Sequence, residues 1–198
     1  MSRASNVTDD STRSISPKKL AHAVLRTCHF KEMVEWYKTV LSAEILNQNA
    51  FIAFMTYDDE HHRIAIATIP GMVERPKHSA GLDHLSFTYG TLGELVYTYV
   101  RLKGAGIIPF VSVNHGLTTS FYYRDPDGNG VELQIDNLEP SQWKDWMRDG
   151  MSKENPFGTT IDPEAIVRKY RSGVPESEIK STEISGTFDL ETLRRLSE

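Results

Sequence analysis

Two stretches decide the fold: Leu82-Asp83-His84-Leu85-Ser86-Phe87 and Asp125-Pro126-Asp127-Gly128-Asn129-Gly130-Val131-Glu132-Leu133. Each alternates apolar and polar side chains as a half-buried strand does, and the second opens on a turn. Asp127-Gly128 is a hairpin signal, because glycine accepts the positive φ that tight turns need. Alternation sets His84 on one side with Leu82 and Ser86, and Leu85 and Phe87 on the other. In the second stretch Glu132 shares its side with Gly130 and Gln134, opposite Val131, Leu133 and Ile135. One face is ready for cover by a helix, and the other carries an imidazole and a carboxylate.

The same pattern occurs once more toward the N-terminus. Residues 19–27 read as a strand in which His22 sides with Leu20 and Val24. Phe30, Met33, Val34, Tyr37, Val40 and Leu41 then recur at three and four residues, which predicts a helix over 30–41. Short strands are expected at 45–46, 51–55 and 64–67. The second copy runs as a strand at 82–88, a helix at 92–102 stopped by Gly104 and Gly106, and strands at 107–111, 119–123 and 131–135. Each half reads β-α-β-β-β. The expected fold class is α+β: two such modules, residues 18–70 and 80–138, forming a curved mixed sheet around a metal site within a domain of residues 18–138.

The flanks differ in composition. Residues 1–17, rich in Ser, Thr and Asp at their start, read as a disordered lead-in. Residues 139–198 read as a helical arm. Trp143, Trp146 and Met147 suggest a short amphipathic helix, and Asp162-Pro163-Glu164 looks like an N-cap followed by proline at the first helical position. That helix is expected to reach Arg171 and stop at Gly173, and a last capped helix is expected at 189–196. Such pieces are too short and polar to form a core alone, so the arm is expected to lie on the domain or on a partner subunit of a homo-oligomer.

Composition narrows the function classes. With 198 residues, 39% hydrophobic and 25% charged, the chain is an ordinary soluble domain in make-up. A net charge of −5 with no basic stripe argues against nucleic acid as a partner. No apolar run approaches the roughly 20 residues needed to span a bilayer, and the N-terminus has no apolar core of a signal peptide. Cys28 is the single cysteine, which excludes an intrachain disulfide and agrees with a reducing compartment, the cytoplasm by default.

A lone strand histidine is usually a packed or solvated group, and Asp-Pro-Asp-Gly alone is merely a turn. The combination at corresponding places in two modules is what carries weight. His22, His84 and Glu132 offer two imidazoles and one carboxylate, a set that leaves coordination positions open and suits a redox-active ferrous ion. A carboxylate such as Glu132 within an apolar alternation also needs a cation or hydrogen bonds if it is buried.

The repeated modules, the histidine opening each one, and Asp125-Pro126-Asp127-Gly128 followed by Val131-Glu132-Leu133 resemble the vicinal oxygen chelate superfamily. Within it the chain is most similar to the type I extradiol catechol dioxygenases, including the dihydroxybiphenyl dioxygenases, over about residues 19–137. The resemblance implies Fe(II), with Mn(II) as the alternative, held by His22, His84 and Glu132. It also implies a small aromatic diol and O2 as substrates. His61-His62-Arg63 resembles the segment holding the family's non-ligand catalytic histidine, which falls on His62. Asn114-His115-Gly116 resembles the segment with a second active-site histidine, His115, and Ser120-Phe121-Tyr122 the one with a tyrosine, Tyr122. The loop between His115 and Tyr122 is shorter than in some members of the family. Phe110, Val113, Leu117 and Phe121 are candidates for an apolar pocket wall and equally for core packing.

Ala65 is informative by its chemistry. It falls in the first module where Glu132 falls in the second, and alanine cannot coordinate a metal. Glyoxalase I-type sites and the superfamily's epimerases need a second carboxylate, so the three-ligand reading favours ring cleavage. Two readings compete with it. One is a metal-dependent thiol transferase of the fosfomycin-resistance type, with a similar ligand set and usually Mn(II). The other is a non-enzymatic ligand-sequestering protein of the bleomycin-resistance type.

Overall fold

Helix α1 (Phe30–Leu41) spans the residues expected for it, and Met33, Val34, Tyr37, Val40 and Leu41 form its buried stripe. The computed structural model, which describes residues 14–76, 79–150 and 155–181, sets this helix after strand β1 (Ala23–Arg26) and before β2 (Glu44–Gln48), β3 (Ile52–Thr56) and β4 (Ile64–Ala67). The four strands make one sheet in the order β1-β4-β3-β2. β1 runs parallel to β4, and the other pairs are antiparallel. The second module repeats the plan with β5 (His84–Tyr89), α2 (Leu92–Gly104), β6 (Val111–Asn114), β7 (Thr118–Arg124) and β8 (Gly130–Asp136). Helix α2 starts at a capping box in which Thr91 and Glu94 satisfy each other's backbone N–H groups.

Both halves are thus β-α-β-β-β, and the fold is α+β as expected. Three features refine the expectation. Hydrogen bonding divides the curved sheet into two, each with one parallel pair. Strand β6 runs from Val111 to Asn114 and not over 107–111, since Pro109 has no N–H to give a ladder. A two-residue strand, β9 (Thr159–Thr160), joins the second sheet from the arm, giving the order β5-β8-β7-β6-β9. Two residues carry no periodicity, so nothing in the sequence announced it.

One apolar core serves both modules. Val131, Leu133 and Ile135, the face of β8 opposite Glu132, share it with Leu95, Tyr99 and Leu102 of α2 and with the buried stripe of α1. Polar ties also cross between modules. The Tyr37 hydroxyl donates to Asp125 Oδ2 at 3.1 Å, and His29 Nδ1 lies 2.7 Å from Asp127 Oδ1. The 125–129 turn between β7 and β8 is closed by Asp125, which accepts from the backbone N–H groups of Asp127 and Asn129, and Gly128 takes a φ of 79°.

The arm packs on the domain. Helix α3 (Trp143–Asp145) continues into a π-helical turn (Trp146–Gly150). Helix α4 (Pro163–Arg171) is capped by Asp162, whose side chain accepts from Glu164 N–H, and it buries Ile166 and Val167 in the core. Tyr99 of α2 donates to Glu164 Oε1 at 2.5 Å. A short helix, α5 (Glu176–Ile179), follows. Most of the lead-in and the helix expected at 189–196 lie outside the described residues. Among the described residues no helix is long and apolar enough to cross a membrane.

Candidate active site

The parallel pairing of β5 with β8 sets His84 opposite Gly130 and Ser86 opposite Glu132. Glycine at 130 is required there: a Cβ would lie 2.5 Å from the Asp83 carbonyl oxygen and 2.8 Å from His84 Cβ. That close approach lets the His84 ring lean over β8, where its Nε2 sits 3.0 Å from Glu132 Oε2. Its Nδ1 lies 2.6 Å from Asp83 Oδ2. An imidazole held by a carboxylate on one nitrogen and facing the site with the other is the arrangement that orients metal-binding histidines.

Glu132 is only 5% exposed. Burial alone would push its carboxyl up, but hydrogen bonds from His84, Ser120 and Ser86 and the charge of His84 together hold it at about 2. The hydrogen bond to Glu132 in turn raises His84 to about 9, against the opposing effect of burial and with help from Asp83. The Tyr122 hydroxyl lies 2.9 Å from Glu132 Oε1, and His115 Nε2 lies 2.8 Å from the same hydroxyl. Burial, then the Glu132 charge, pushes the Tyr122 phenol well above its ordinary value. His115, Tyr122, Glu132 and His84 therefore form one hydrogen-bonded line from the end of β6 across β7 and β8 to β5.

The first module meets this line at a seam. Its edge strand β1 and the edge strand β5 flank a small cavity of about 110 Å³ lined by His22, Ala23, Leu85 and Ser86, among others. His22 thus opens on the same space as Ser86, the register partner of Glu132. Its ring is gathered with those of His61 and His62, whose ligand nitrogens all lie within 4.8 Å of one another. The His22 and His62 ring centroids are 4.2 Å apart, and His61 Nδ1 is 2.6 Å from His62 Nδ1. The structure therefore brings His84, Glu132, Tyr122 and His115 together, and separately His22 with His61 and His62. Burial, together with His22 and His61, pushes the His62 pKa below that of an ordinary histidine.

The register also places Ala65. Val24 pairs with Ala65 in the first module as Ser86 pairs with Glu132 in the second, each two residues beyond the module's histidine. Ala65 is fully buried and puts a methyl group where the second module has the Glu132 carboxylate.

An apolar wall rises beside Tyr122. Val111, Val113 and Tyr122 form a cluster with Phe110, separate from the main core. Phe121 points the opposite way, is fully buried, and stacks edge-on with Tyr99 in the core. Among the pocket candidates, then, Phe110 and Val113 stand with the site, whereas Phe121 belongs to the core because it alternates with Tyr122. Asp83, Ser86, Ser120 and Gly130 have roles here that sequence reading assigned to none of them. Only Gly130 left a signal, as a glycine inside a strand pattern. The donor set fits a divalent cation: a buried ionised carboxylate, and an imidazole oriented by Asp83, at a seam where a second imidazole opens.

The Glyoxalase/Bleomycin resistance protein/Dioxygenase superfamily matches residues 19–133. The chain is 44% identical over 169 residues to a biphenyl-2,3-diol 1,2-dioxygenase 3 of Rhodococcus globerulus, covering 84% of this chain and 88% of that protein. It is 43% identical over 163 residues to a biphenyl-2,3-diol 1,2-dioxygenase 2 of the same organism, covering 81% and 86% respectively. A solved glyoxylase/bleomycin resistance protein/dioxygenase domain from Frankia sp. EAN1pec shares the fold, with a TM-score of 0.51 at 21% identity over 61% of this chain and 99% of that one. The two-module architecture and these matches agree: the chain belongs to the Glyoxalase/Bleomycin resistance protein/Dioxygenase superfamily.

Proposed function

We propose that the chain is an extradiol dioxygenase that opens the ring of a catechol-type aromatic diol of the biphenyl-2,3-diol class with O2. The observation that carries this reading is the line His115–Tyr122–Glu132–His84, lying beside an apolar wall and across the seam from His22 and His62. It is supported by relatives at 43% and 44% identity that are biphenyl-2,3-diol 1,2-dioxygenases.

His22, His84 and Glu132 are the residues that would hold Fe(II), or Mn(II) as the alternative. When bound, the metal supplies open positions for the two adjacent diol oxygens and O2 and lowers the diol hydroxyl pKa. His62 accepts a proton from a substrate hydroxyl at its ring nitrogen and returns it later, a task suited to an imidazole that stays neutral at neutral pH. Tyr122 and His115 hydrogen-bond the substrate oxygen nearest β7. Phe110, Val111 and Val113 face the aromatic ring and exclude water. Ala65 keeps the fourth protein-ligand position empty, which leaves room for two substrates.

The test is oxygen uptake by anaerobically purified, Fe(II)-loaded protein with biphenyl-2,3-diol and simpler catechols. One O2 consumed per diol, with both atoms of ¹⁸O2 in a ring-opened product, is expected. Catechol turnover under strict anaerobiosis, or no uptake with any diol, overturns the reading.

A further inference from the structure

His61 takes no part in the chemistry above, yet it stands in a close group of metal-binding side chains. Among the described residues, His22, His61 and His62 are the one group of three whose ligand nitrogens all lie within 4.8 Å of one another. Local pairing builds the group. Ala23 of β1 sits opposite Ile64 of β4, and the Ala23 N–H donates to the Arg63 carbonyl at 3.0 Å, which brings His22 beside the end of the 57–63 turn. Arg63 then ties the two segments together. Its Nε donates to Asp58 Oδ2 at 3.0 Å, and its Nη1 donates to the Leu20 and Ala21 carbonyls at 2.8 and 3.1 Å. The turn is braced by Thr56, whose hydroxyl donates to the Glu60 carbonyl at 2.9 Å. The three rings are therefore gathered by the fold itself.

A carboxylate stands behind His61. Its Nε2 lies 3.5 Å from Oε1 of the buried Glu60, while its Nδ1 turns to His62 Nδ1 at 2.6 Å. A carboxylate at the far nitrogen is what orients a metal-binding imidazole. Three imidazoles, with no thiolate or carboxylate among them, are a donor set that Zn(II) takes in four-coordinate sites with one position left for water. Zn–N bonds of about 2.0–2.1 Å put two nitrogens on a tetrahedral ion roughly 3.3 Å apart, so these rings meet one by shifts of less than about 1.5 Å. The His61 side chain is 66% exposed, which opens the group to ions from solvent. The iron set is less ready: His84 Nε2 and Glu132 Oε2 face each other at 3.0 Å and must part to admit an ion.

We propose that His22, His61 and His62 form a second metal site, a three-histidine centre for Zn(II) whose occupation excludes Fe(II) from the set His22, His84 and Glu132. His22 belongs to both sets, so the chain holds one ion or the other. The zinc site stands on its own geometry. The inhibition it causes rests on the dioxygenase reading, because Zn(II) then withdraws the ligand His22 and the base His62 together. Nothing is oxidised or reduced: three imidazole nitrogens replace waters of the hydrated ion, and one water stays in the fourth position.

The probe is Zn(II), titrated calorimetrically into the full-length, metal-depleted protein and into its His61→Asn and Glu132→Gln variants. Expected are one Zn(II) per chain in the parent, affinity at least about 10-fold weaker in His61→Asn, and affinity within about threefold of the parent in Glu132→Gln. Fe(II) content after anaerobic loading should show the reverse, kept in His61→Asn and lost in Glu132→Gln. One equivalent of Zn(II) added before Fe(II) should lower oxygen uptake with catechol at least about tenfold in the parent and less than about twofold in His61→Asn, each against its own zinc-free rate. The proposal is overturned if Zn(II) does not bind, or if its affinity is unchanged in His61→Asn, a result that stands even if Glu132→Gln does not fold. A loss in Glu132→Gln as large as that in His61→Asn places the ion in the iron set and overturns it too. Two ions held at once overturn the exclusion. If no diol is turned over by any form, the dioxygenase reading fails while the zinc affinities still decide the site.

Discussion

His62 sits close enough to His22 to share a site with it, and it lies in the connection between β3 and β4 just as His22 lies just ahead of β1. Its depressed pKa fixes the sign of one pH effect. In the proposed role the neutral ring is the working form, and it is lost only when pH falls through a value below the ordinary histidine pKa of about 6.5. The acid limb of activity should therefore lie at lower pH than an ordinary histidine would set, with activity falling about tenfold per unit below His62's own pKa. His62→Ala should abolish that acid limb, leave metal content unchanged, and slow turnover by about 10²- to 10⁴-fold, as read from kcat/KM profiles beside metal analysis. An acid limb that survives in the variant assigns it to another group. Ala65 supports an independent test. Because it occupies the place that Glu132 occupies in the other module, Ala65→Glu should add a fourth protein ligand. We expect metal to be retained and oxygen-dependent turnover to drop by at least about 100-fold, since a fourth protein ligand leaves too few positions for a chelating diol and O2 together. Unimpaired oxygen uptake would mean that the new carboxylate does not reach the metal.

The elements hold these residues through a few close approaches. Gly130 sets the spacing of β5 and β8, so Gly130→Ala should push the strands apart at His84, destabilising the fold by about 1–3 kcal/mol in urea titrations and weakening metal binding as well. Tyr37 ties α1 to the 125–129 turn. Tyr37→Phe, which leaves the buried Asp125 short of a donor, should cost about 1.5–3 kcal/mol while leaving the metal affinity unchanged. Much of this was legible in advance. The α1 stripe, the Asp162-Pro163 start of α4 and the Asp127-Gly128 turn all announce themselves within a few residues, because the chemistry that makes them is local. Alternation likewise put His84 and Glu132 on one face and Val131 and Leu133 on the other. What escaped the sequence depends on distant chain segments. Strand β9 exists because β6 has a free edge to receive it. Asp83 orients His84 through a rotamer that no pattern encodes, and the gathering of His61 with His22 depends on how the 57–63 turn folds back over β1.

At the scale of the molecule, the candidate ligands come from both modules, His22 from the first and His84 with Glu132 from the second, so a bound metal joins two hydrogen-bonded sheets that otherwise meet through side chains. Binding only the folded form, it should raise the melting temperature. The increment should depend on pH, with a sign set by the His84–Glu132 pair. Without metal, His84 is raised to about 9, so its contribution to stability is complete below about 6.5 and is lost as pH rises through 9. Glu132 is depressed to about 2, so its contribution is present above about 4.5 and is lost only as pH falls toward 2. Between pH 6.5 and 9 the metal-free protein therefore weakens with rising pH. Over the same window metal must displace the proton on His84, so its affinity should climb by up to about tenfold per pH unit. Melting curves of metal-depleted and Fe(II)-loaded protein, taken anaerobically from pH 6.5 to 9, should diverge steadily as pH rises. Parallel curves would mean that the metal takes no proton from His84, and would remove that residue from the ligand set.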